Sequence, residues 1–549
     1  MTGLRIPFSD YHYYGDFDSE QSFGYLEIHS PLIRSPFKLL SKNINGPIVS
    51  KRSLNLGGTK LSFSVKYEAL YEPEDEISGF TSESGGVPFE YIFFLNSAVY
   101  LFVRNIDGTY FQLNGGVIRN VQKSTDAKGE ETRTVECDGF EKILENFQVN
   151  LDFGTEDQTK SKRTSENISS AITEITEVIK SQANLKDAVS SIWDNLFYDF
   201  IQGAVFKRYP LFGGKRLIAK SSNQIENSHL ILNVCQESYS QNFIQQVMVA
   251  GNLSIGSSGI SIMELIRQFA SPPLYEIFVD PLSSALLTEE SFGSESERSG
   301  TPDQVAPLSF VPGSENLSEV YSVQKRSANF IFRQTPYFYW DYLDQSTEGG
   351  RYKVLRGPHY ELDFDKIQNV SLNESADNVY SGVMVSPNIS SLFGLVLSKP
   401  IYNTSLITLV GQNVLTVKIN GMNMKGEVTE TKKNDFKEAL DKIRDMIFYI
   451  FCNPKNLKHI TGSVKIAFTP VRVGVPFVIK NRPKSGSVSQ EENSKANFNI
   501  KAIESSLGDH GYVVSVTDTF NPNGEASSSI EFKWMDSPID FTDLQWEAS

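Results

Sequence analysis

The chain has 549 residues, 40% hydrophobic and 12% aromatic, with a formal net charge of −15. At roughly 150 residues per domain it has room for three or four domains with real cores. A balance this acidic excludes tight gripping of a phosphate backbone, which needs clustered Lys and Arg, although an acidic chain can still surround nucleic acid.

The opening stretch, MTGLRIPFSDYHYYGDFDSE (1–20), contains no apolar signal region, so an exported chain is not expected. Residues 1–155 read as strands. LNLGGTKLSFSVKYEALY (54–71) alternates Leu61, Phe63, Val65 and Tyr67. FEYIFFLNSAVYLFVRN (89–105) reads as a pair of apolar strands around Asn96-Ser97. Residues 108–144 give a strand, a second strand, a polar turn at Asp126-Ala127-Lys128-Gly129, a third strand carrying Val135 and Cys137, and a helix start. Antiparallel strands at this spacing point to a barrel or sandwich.

Helical spacing takes over in 164–202, at Ile168, Ile172, Ile175 and Ile179 and again at Val189, Ile192, Trp193, Leu196, Phe197 and Phe200, a core stripe with a break near Asn184. Strands resume at 228–236 and 243–251, followed by a short helix at 261–270 and a strand at 272–281. TEESFGSESERSGTPDQVAP (288–307) is too polar to build a core and reads as a mobile linker. SANFIFRQTPYFYWDYL (327–343) is a strand that Pro336 ends or confines to an edge.

The last third is again mostly strands. Residues 362–387 alternate apolar and polar around a turn. A helix at 434–452 aligns Phe436, Leu440, Ile443, Ile447, Ile450 and Phe451, with Asn434 or Asp435 as its N-cap. Its MIFYIF (446–451), among the longest apolar runs, is too short to span a bilayer, so the chain is expected to be soluble. Two strands flank Pro470 in 460–480, and a polar run (481–498) precedes a closing hairpin. In that hairpin, Val514, Val516 and Thr519 lie before the turn Asn521-Pro522-Asn523-Gly524, and Ser528, Ile530, Phe532 and Trp534 alternate after it.

Chemistry is sparse. Cys137, Cys235 and Cys452 lie far apart with no CxxC, which excludes a disulfide framework or a cysteine zinc site and reads as buried thiols. His12, His29, His229, His359, His459 and His510 form no HxH or HExxH pattern. Glu361, Asp363 and Asp365 would share one face of a strand, which suits a solvated face, a calcium site or a glycosidase carboxylate pair. GNLSIGSSGIS (251–261) lacks the Lys of a phosphate loop, and Gly256-Ser257-Ser258-Gly259 has the wrong spacing for a nucleophile elbow. YFYWDYL (337–343) suits stacking on sugars or bases as well as a strand core or interface. No catalytic, cofactor-binding or metal-ligating residue is assigned, and the chain is not expected to be an enzyme.

The order of the pieces carries a resemblance. GGVIRNVQKSTDAKGEETRTVECDGFEKIL (115–144) resembles the barrel signature of phage tail-hub and tube-like proteins, a "G-x-I" strand pair leading into "T-V-x-C-x-G" and a helix. ISIMELIRQFASPPLYEIFVD (260–280) resembles their helix followed by a strand ending in Asp. FIFRQTPYF (330–338) is similar to their "R-x-T-P-F" element at Arg333, Thr335, Pro336 and Phe338, with Tyr337 inserted. Residues 367–387 resemble the strand, "S-x-x-D-x-V-x-N" and strand that follow, with Ser381 where Asn is commoner. Residues 460–479 and 511–534 resemble the closing strands of the second barrel. Together these cover about two-thirds of the chain, in the family's order.

The family is the baseplate hub of contractile phage tails and related injection machines, with relatives in the N-terminal part of tail-associated proteins of non-contractile tails. The resemblance implies a mainly β (α+β), multidomain chain: two tube-like antiparallel β-barrels with helical and mixed α/β insertions. On that plan 1–155 is the first barrel, 156–205 a helical insertion, and 206–255 strands returning to the first barrel. A mixed α/β domain (256–345) carries the linker 288–307, and 346–549 is the second barrel with helix 434–452. It further implies a homotrimer whose six barrels match a sixfold tail tube above, with a threefold spike or tip protein below. Tail tube, distal tail and tape measure proteins are the neighbours implied, at the tail tip or baseplate of a virion made in the bacterial cytoplasm. DNA would pass through the channel without specific binding, with no cofactor and no stable membrane insertion; the net charge adds the expectation of an acidic lumen. The linker 288–307 and the helices 164–202 would be departures that reach the baseplate periphery. A β-rich carbohydrate-binding or glycoside-acting viral protein is the rival, motivated by 337–343 and the acids at Glu361, Asp363 and Asp365. An adaptor nearer the fibres, in a ring of other symmetry or none, is the third option.

Overall fold

The computed structural model describes residues 5–7, 23–32, 36–40, 44–66, 89–104, 110–146, 148–149, 193–194, 216–218, 228–235, 260–267, 270, 272–282, 327–335, 359–387, 398–419, 430–452, 459–480, 509–522 and 524–535. The chain is mainly β. Strands β1 (Arg5–Pro7), β2 (Gly24–His29), β3 (Phe37–Leu40), β4 (Ile48–Ser53), β5 (Lys60–Lys66), β6 (Ala98–Arg104), β7 (Tyr110–Thr125) and β8 (Glu131–Gly139) come first. The middle supplies β9 (Gln148–Val149), β10 (Arg216–Ile218), β11 (Ser228–Cys235), β12 (Ile260–Ser261), β13 (Tyr275–Asp280) and β14 (Ala328–Gln334). The last third supplies β15 (His359–Asp363), β16 (Ile367–Glu374), β17 (Gly382–Pro387), β18 (Ile401–Tyr402), β19 (Val414–Ile419), β20 (Ile460–Ala467), β21 (Pro476–Lys480), β22 (Asp509–Phe520) and β23 (Ala526–Met535). The described helices are α1 (Phe89–Ile92), α2 (Glu141–Asn146), α3 (Ile262–Arg267), α4 (Thr404–Val410) and α5 (Glu430–Phe451).

Strands from the two ends of the chain merge into one 14-stranded sheet, ordered β1-β15-β21-β22-β4-β5-β8-β7-β6-β2-β3, with β23, β20 and β16 branching from β22. The seam is β22 against β4, from Ser515↔Ser53 to Phe520↔Ile48. Strict alternation builds it: Ile48, Ser50 and Arg52 face inward on β4, while Val49 and Lys51 face out. Two hydrophobic cores lie under the sheet, one centred on β2–β8 and one on β15–β23. The closing hairpin reaches both. Val513, Val516, Ile530 and Phe532 belong to the second core, whereas Phe520 belongs to the first, where its ring stacks on Phe23 at 4.9 Å and meets Phe468 at 4.8 Å.

Leu61, Phe63 and Val65 are buried as their alternation predicts; Tyr67 lies outside the described residues. Three expectations are corrected. Residues 89–92 form the single helical turn α1 rather than a strand, and Asn96 then turns the chain with φ 65°. The two strands expected in 108–125 are one 16-residue strand, β7: Gly115 and Gly116 pair in register with β6, and the register shifts fall at Leu113 and Arg119. Asn434 and Asp435 sit inside α5, which starts at Glu430; its first turn is polar and so invisible to apolar periodicity. Leu440, Ile443, Ile447 and Ile450 are buried along α5 as expected, with Phe451 half-buried.

The middle of the chain is also rearranged. Strands β10 and β11, expected to return to the first barrel, form a four-stranded sheet with β14 and β13, in the order β10-β11-β14-β13. From 164–202 the described residues include Trp193, which is fully buried and stacks on Phe330 at 5.5 Å, consistent with a core stripe. The strand expected at 243–251, the linker 288–307, the aromatic run 337–343 and the polar run 481–498 lie outside the described residues.

β20 crosses between β16 and β23 at Gly462, where an added Cβ would meet the Ser371 carbonyl oxygen at 2.1 Å and the Phe532 ring at 2.6 Å. Backbone cannot yield as a flexible side chain does. Gly462→Ala should therefore destabilise the chain by about 1–3 kcal/mol, read as a lower midpoint in urea denaturation.

Candidate functional site: a buried arginine joint

Strands β13 and β14 lie against the main sheet through alternate residues. Glu276, Phe278 and Asp280 share one face of β13, and Asn329, Ile331 and Arg333 share the paired face of β14. Phe278 and Ile331 enter the second core, so Asp280 and Arg333 beside them are buried too, with Glu276 part-buried. Charge in such a place is tolerated only when paired and hydrogen-bonded.

Each group has its partners. Arg333 Nε donates to Glu276 Oε1 at 2.5 Å, and Nη2 donates to the Gly474 carbonyl at 2.6 Å and to Tyr512 Oη at 2.9 Å. The Tyr512 hydroxyl donates to both Glu276 oxygens, at 2.6 and 2.8 Å. Burial, and then the Glu276 charge, push the Tyr512 phenol well above its ordinary value, so it stays protonated and remains a donor. Arg472 ion-pairs with Asp280, and its backbone N–H donates to Tyr360 Oη at 2.9 Å. Arg52 donates to the Val471 carbonyl and to Asp518 Oδ2, both at 2.7 Å. Burial pushes the Asp518 carboxyl up, opposed by Arg52 and by Ser528, whose hydroxyl donates to it at 2.6 Å.

The three guanidiniums converge on the segment between β20 and β21. Val471, Val473 and Val475 point into the second core, while Arg472 and the Gly474 carbonyl turn to β13 and β14. Gly474 has φ 72°, and a Cβ there would meet Arg333 Nη2 at 2.5 Å, so the site requires glycine. At the far end Gln112 of β7 donates to the Pro281 and Ser327 carbonyls, at 2.6 and 3.0 Å. The joint thus ties both ends of the chain to the inserted strands.

Several quoted motif residues converge here. Arg333 of the "R-x-T-P" element, the terminal Asp280 of its strand and Arg472 of 460–479 all belong to the joint. Thr335 is buried and bonds the Leu274 carbonyl through its N–H at 2.9 Å; Pro336 and Phe338 lie outside the described residues. Ser381, the departure from Asn, is buried, and its hydroxyl accepts from the Asn413 N–H at 2.8 Å, pinning β17 beside β19. Sequence patterns alone do not single out Arg52, Asp518, Glu276, Tyr512 or Gln112. One signal does exist: Val516, Asp518 and Phe520 alternate, so a carboxylate shares an apolar face and demands a partner.

The expected acidic face is corrected. Glu361 and Asp363 lie on β15, but Asp365 falls in the 3-10 turn Phe364–Lys366, so the three do not share a strand. No group of three or more His, Cys, Asp or Glu suited to a metal occurs among the described residues. Cys137 and Cys452 are buried, and desolvation pushes their thiols up, Cys452 to about 12, which leaves them unreactive.

The fold is therefore a mainly β chain whose 14-stranded sheet is locked to an inserted four-stranded sheet by buried ion pairs. No family model and no curated protein matches the sequence. Among solved structures, the chain is similar to a tail protein from Neisseria meningitidis MC58, at 7% identity and TM-score 0.38, over 93% of this chain and 96% of that one. It is similar to the prophage MuSo2 43 kDa tail protein of Shewanella oneidensis at 9% identity and TM-score 0.34, over 93% and 97%. A prophage tail protein of Listeria monocytogenes EGD-e matches at 8% identity and TM-score 0.36, over 92% and 94%.

Removing one partner leaves a buried charge alone. Arg472→Met should cost about 3–5 kcal/mol, whereas Arg472→Met combined with Asp280→Leu should recover most of it; denaturant midpoints of the single and double variants check this. A second outcome concerns Glu141, buried in α2, which accepts from the Gly57 N–H at 3.1 Å. Desolvation raises its pKa from 4.5 to about 7. Its contribution to stability is thus fully present below pH 4.5 and is lost as pH rises through 7. Glu141→Gln should flatten the fall in stability across that window, a fall of about 1.4 kcal/mol for each pH unit crossed, as followed by urea titrations at pH 5 and pH 8.

Proposed function

We propose that this chain is a structural hub of a phage tail tip, baseplate or related injection machine. In this reading it is not an enzyme. Three copies form a ring, each contributing two tube-like β-domains, so that six meet a sixfold tail tube above and a threefold spike or tip protein lies below. The ring surrounds the channel through which DNA leaves.

The observation that carries the reading is the single sheet built from both ends of the chain. A sheet whose strands run continuously from one core to the next, through β4 and β22, suits one rigid arc of a wall. Among the described residues β3 and β1 end that arc, and β16 pairs only with β20. Such edges are where a neighbouring copy joins, and a heterologous contact closes into a ring when its rotation does. The ordered elements of the sequence support it further, because Asp280, Arg333 and Arg472, drawn from separate elements, meet in one joint.

The test is negative-stain averaging of the purified chain, alone and mixed with its tail-tube neighbour. A threefold ring with a central opening is expected. Monomers in both samples, or a ring of other symmetry, would overturn the hub assignment.

A further inference from the structure

Asparagine is chemically labile, most of all before glycine, because glycine has no Cβ to shield or restrain its own backbone nitrogen. Among the described residues the chain carries two complete Asn-Gly steps, and the fold treats them in opposite ways. Asn45-Gly46 lies in the short connection that leads into β4, the seam strand. Asn45 is exposed. Gly46 has φ 101°, and a Cβ placed there would meet nothing within 4 Å, so the backbone at this step has open space around it. The Asn45 N–H donates to the Ser64 carbonyl at 2.7 Å, but the Gly46 N–H and the Asn45 side-chain amide have no partner among the described residues.

Asn114-Gly115 is sealed. Asn114 is buried within β7, and its Nδ2 donates to Ser50 Oγ and to the Lys60 carbonyl, both at 3.0 Å. The Gly115 N–H donates to Asn114 Oδ1 at 2.7 Å. A Cβ on Gly115 would meet the Phe140 ring at 2.8 Å, so this step has no room to turn. The group that would leave is held, the nitrogen that would attack is engaged, and burial keeps water away.

We propose that Asn45 is a site of spontaneous modification in the folded chain, converting to isoaspartate and aspartate through a cyclic imide. The Gly46 backbone nitrogen attacks Asn45 Cγ. The N–Cγ bond forms, the Cγ–Nδ2 bond breaks, and ammonia leaves with the proton from the Gly46 nitrogen. Solvent water then opens the imide. Addition at Cγ gives aspartate; addition at the Asn45 backbone carbonyl gives isoaspartate, whose main chain runs through Cβ and Cγ and is one carbon longer. Either product adds a negative charge, and only isoaspartate lengthens the backbone. The place gives this a consequence. Ile44 bridges Val65 on one side of the step, and Ile48 pairs with Phe520 on the other. Both isoleucines are buried in the first core. An extra carbon between two fixed points displaces one of them, so isoaspartate weakens this end of the seam. The chemistry is independent of the hub reading.

The test is incubation of the full chain at pH 8 and 37 °C, native and in urea, until both steps have converted in urea. Peptide mapping follows, with fragmentation that separates isoaspartate from aspartate and resolves these steps from those at 420–421 and 523–524. In the native chain Asn45 should convert while Asn114 remains an amide. The variant Asn45→Gln, whose imide needs a larger ring, should stay unmodified at that position, and the fall in urea midpoint on ageing should be smaller in it than in the parent chain. Asn45 remaining an amide in the native chain overturns the proposal. So does native conversion of Asn114 as fast as Asn45, which would make unfolding, not exposure, the controlling step. An equal fall in midpoint with and without Asn45 overturns the effect on the seam.

Discussion

Burying a guanidinium without a carboxylate beside it is too costly for a folded chain to sustain, and among its described residues this molecule buries three. Arg52 meets Asp518 of β22, while Arg333 and Arg472 meet Glu276 and Asp280 of β13; Arg52 and Arg333 also donate to carbonyls of the segment 471–474, which itself carries Arg472. The pairs stand at the places where the sheet changes owner. Arg52 and Asp518 bind β4 to β22, where the first and last parts of the chain join. Arg472 with Asp280, and Arg333 with Glu276 and Tyr512, bind the inserted strands to that seam. Apolar packing alone would hold these layers together; the ion pairs allow only one register between them, because a slip of one residue would strand a charge in the core.

The same seam explains the closing hairpin, which carries no chemistry. Its base packs in the second core, its Phe520 in the first, and its Asp518 takes Arg52. A strand pair that must be shared by two cores needs apolar residues in strict alternation and one polar anchor. The outward face then becomes available for contact with something else, since no core demands its side chains. Its Ser, Thr and Lys residues are what remains when one side of a continuous sheet is committed to two cores.

Much of this architecture was legible in the residues. Period-two alternation marked β5 and β23, the strands around Pro470 marked β20 and β21, and helical spacing marked α5 from Leu440 onward, because half-buried elements write their buried side at fixed intervals. What misled was local. Residues 89–92 are apolar enough for a strand, yet they form a helical turn, since a short apolar run does not distinguish the two. Gly115-Gly116 reads as a break but lies within one long strand, because small residues also permit the close approach of a neighbour, here the Asp138 carbonyl.

The sequence by itself determined that the chain is mainly β, which residues alternate into cores, and that Arg333, Asp280 and Arg472 sit within recognisable elements. Only the tertiary structure decided that β4 pairs with β22, that β10 and β11 leave the first sheet for β14, and that Asn45 is exposed while Asn114 is buried. The reason is physical. Alternation states which side of a strand is buried, but it is indifferent to which strand lies alongside. Pairing across hundreds of residues is chosen by the few buried charges that find partners in only one arrangement.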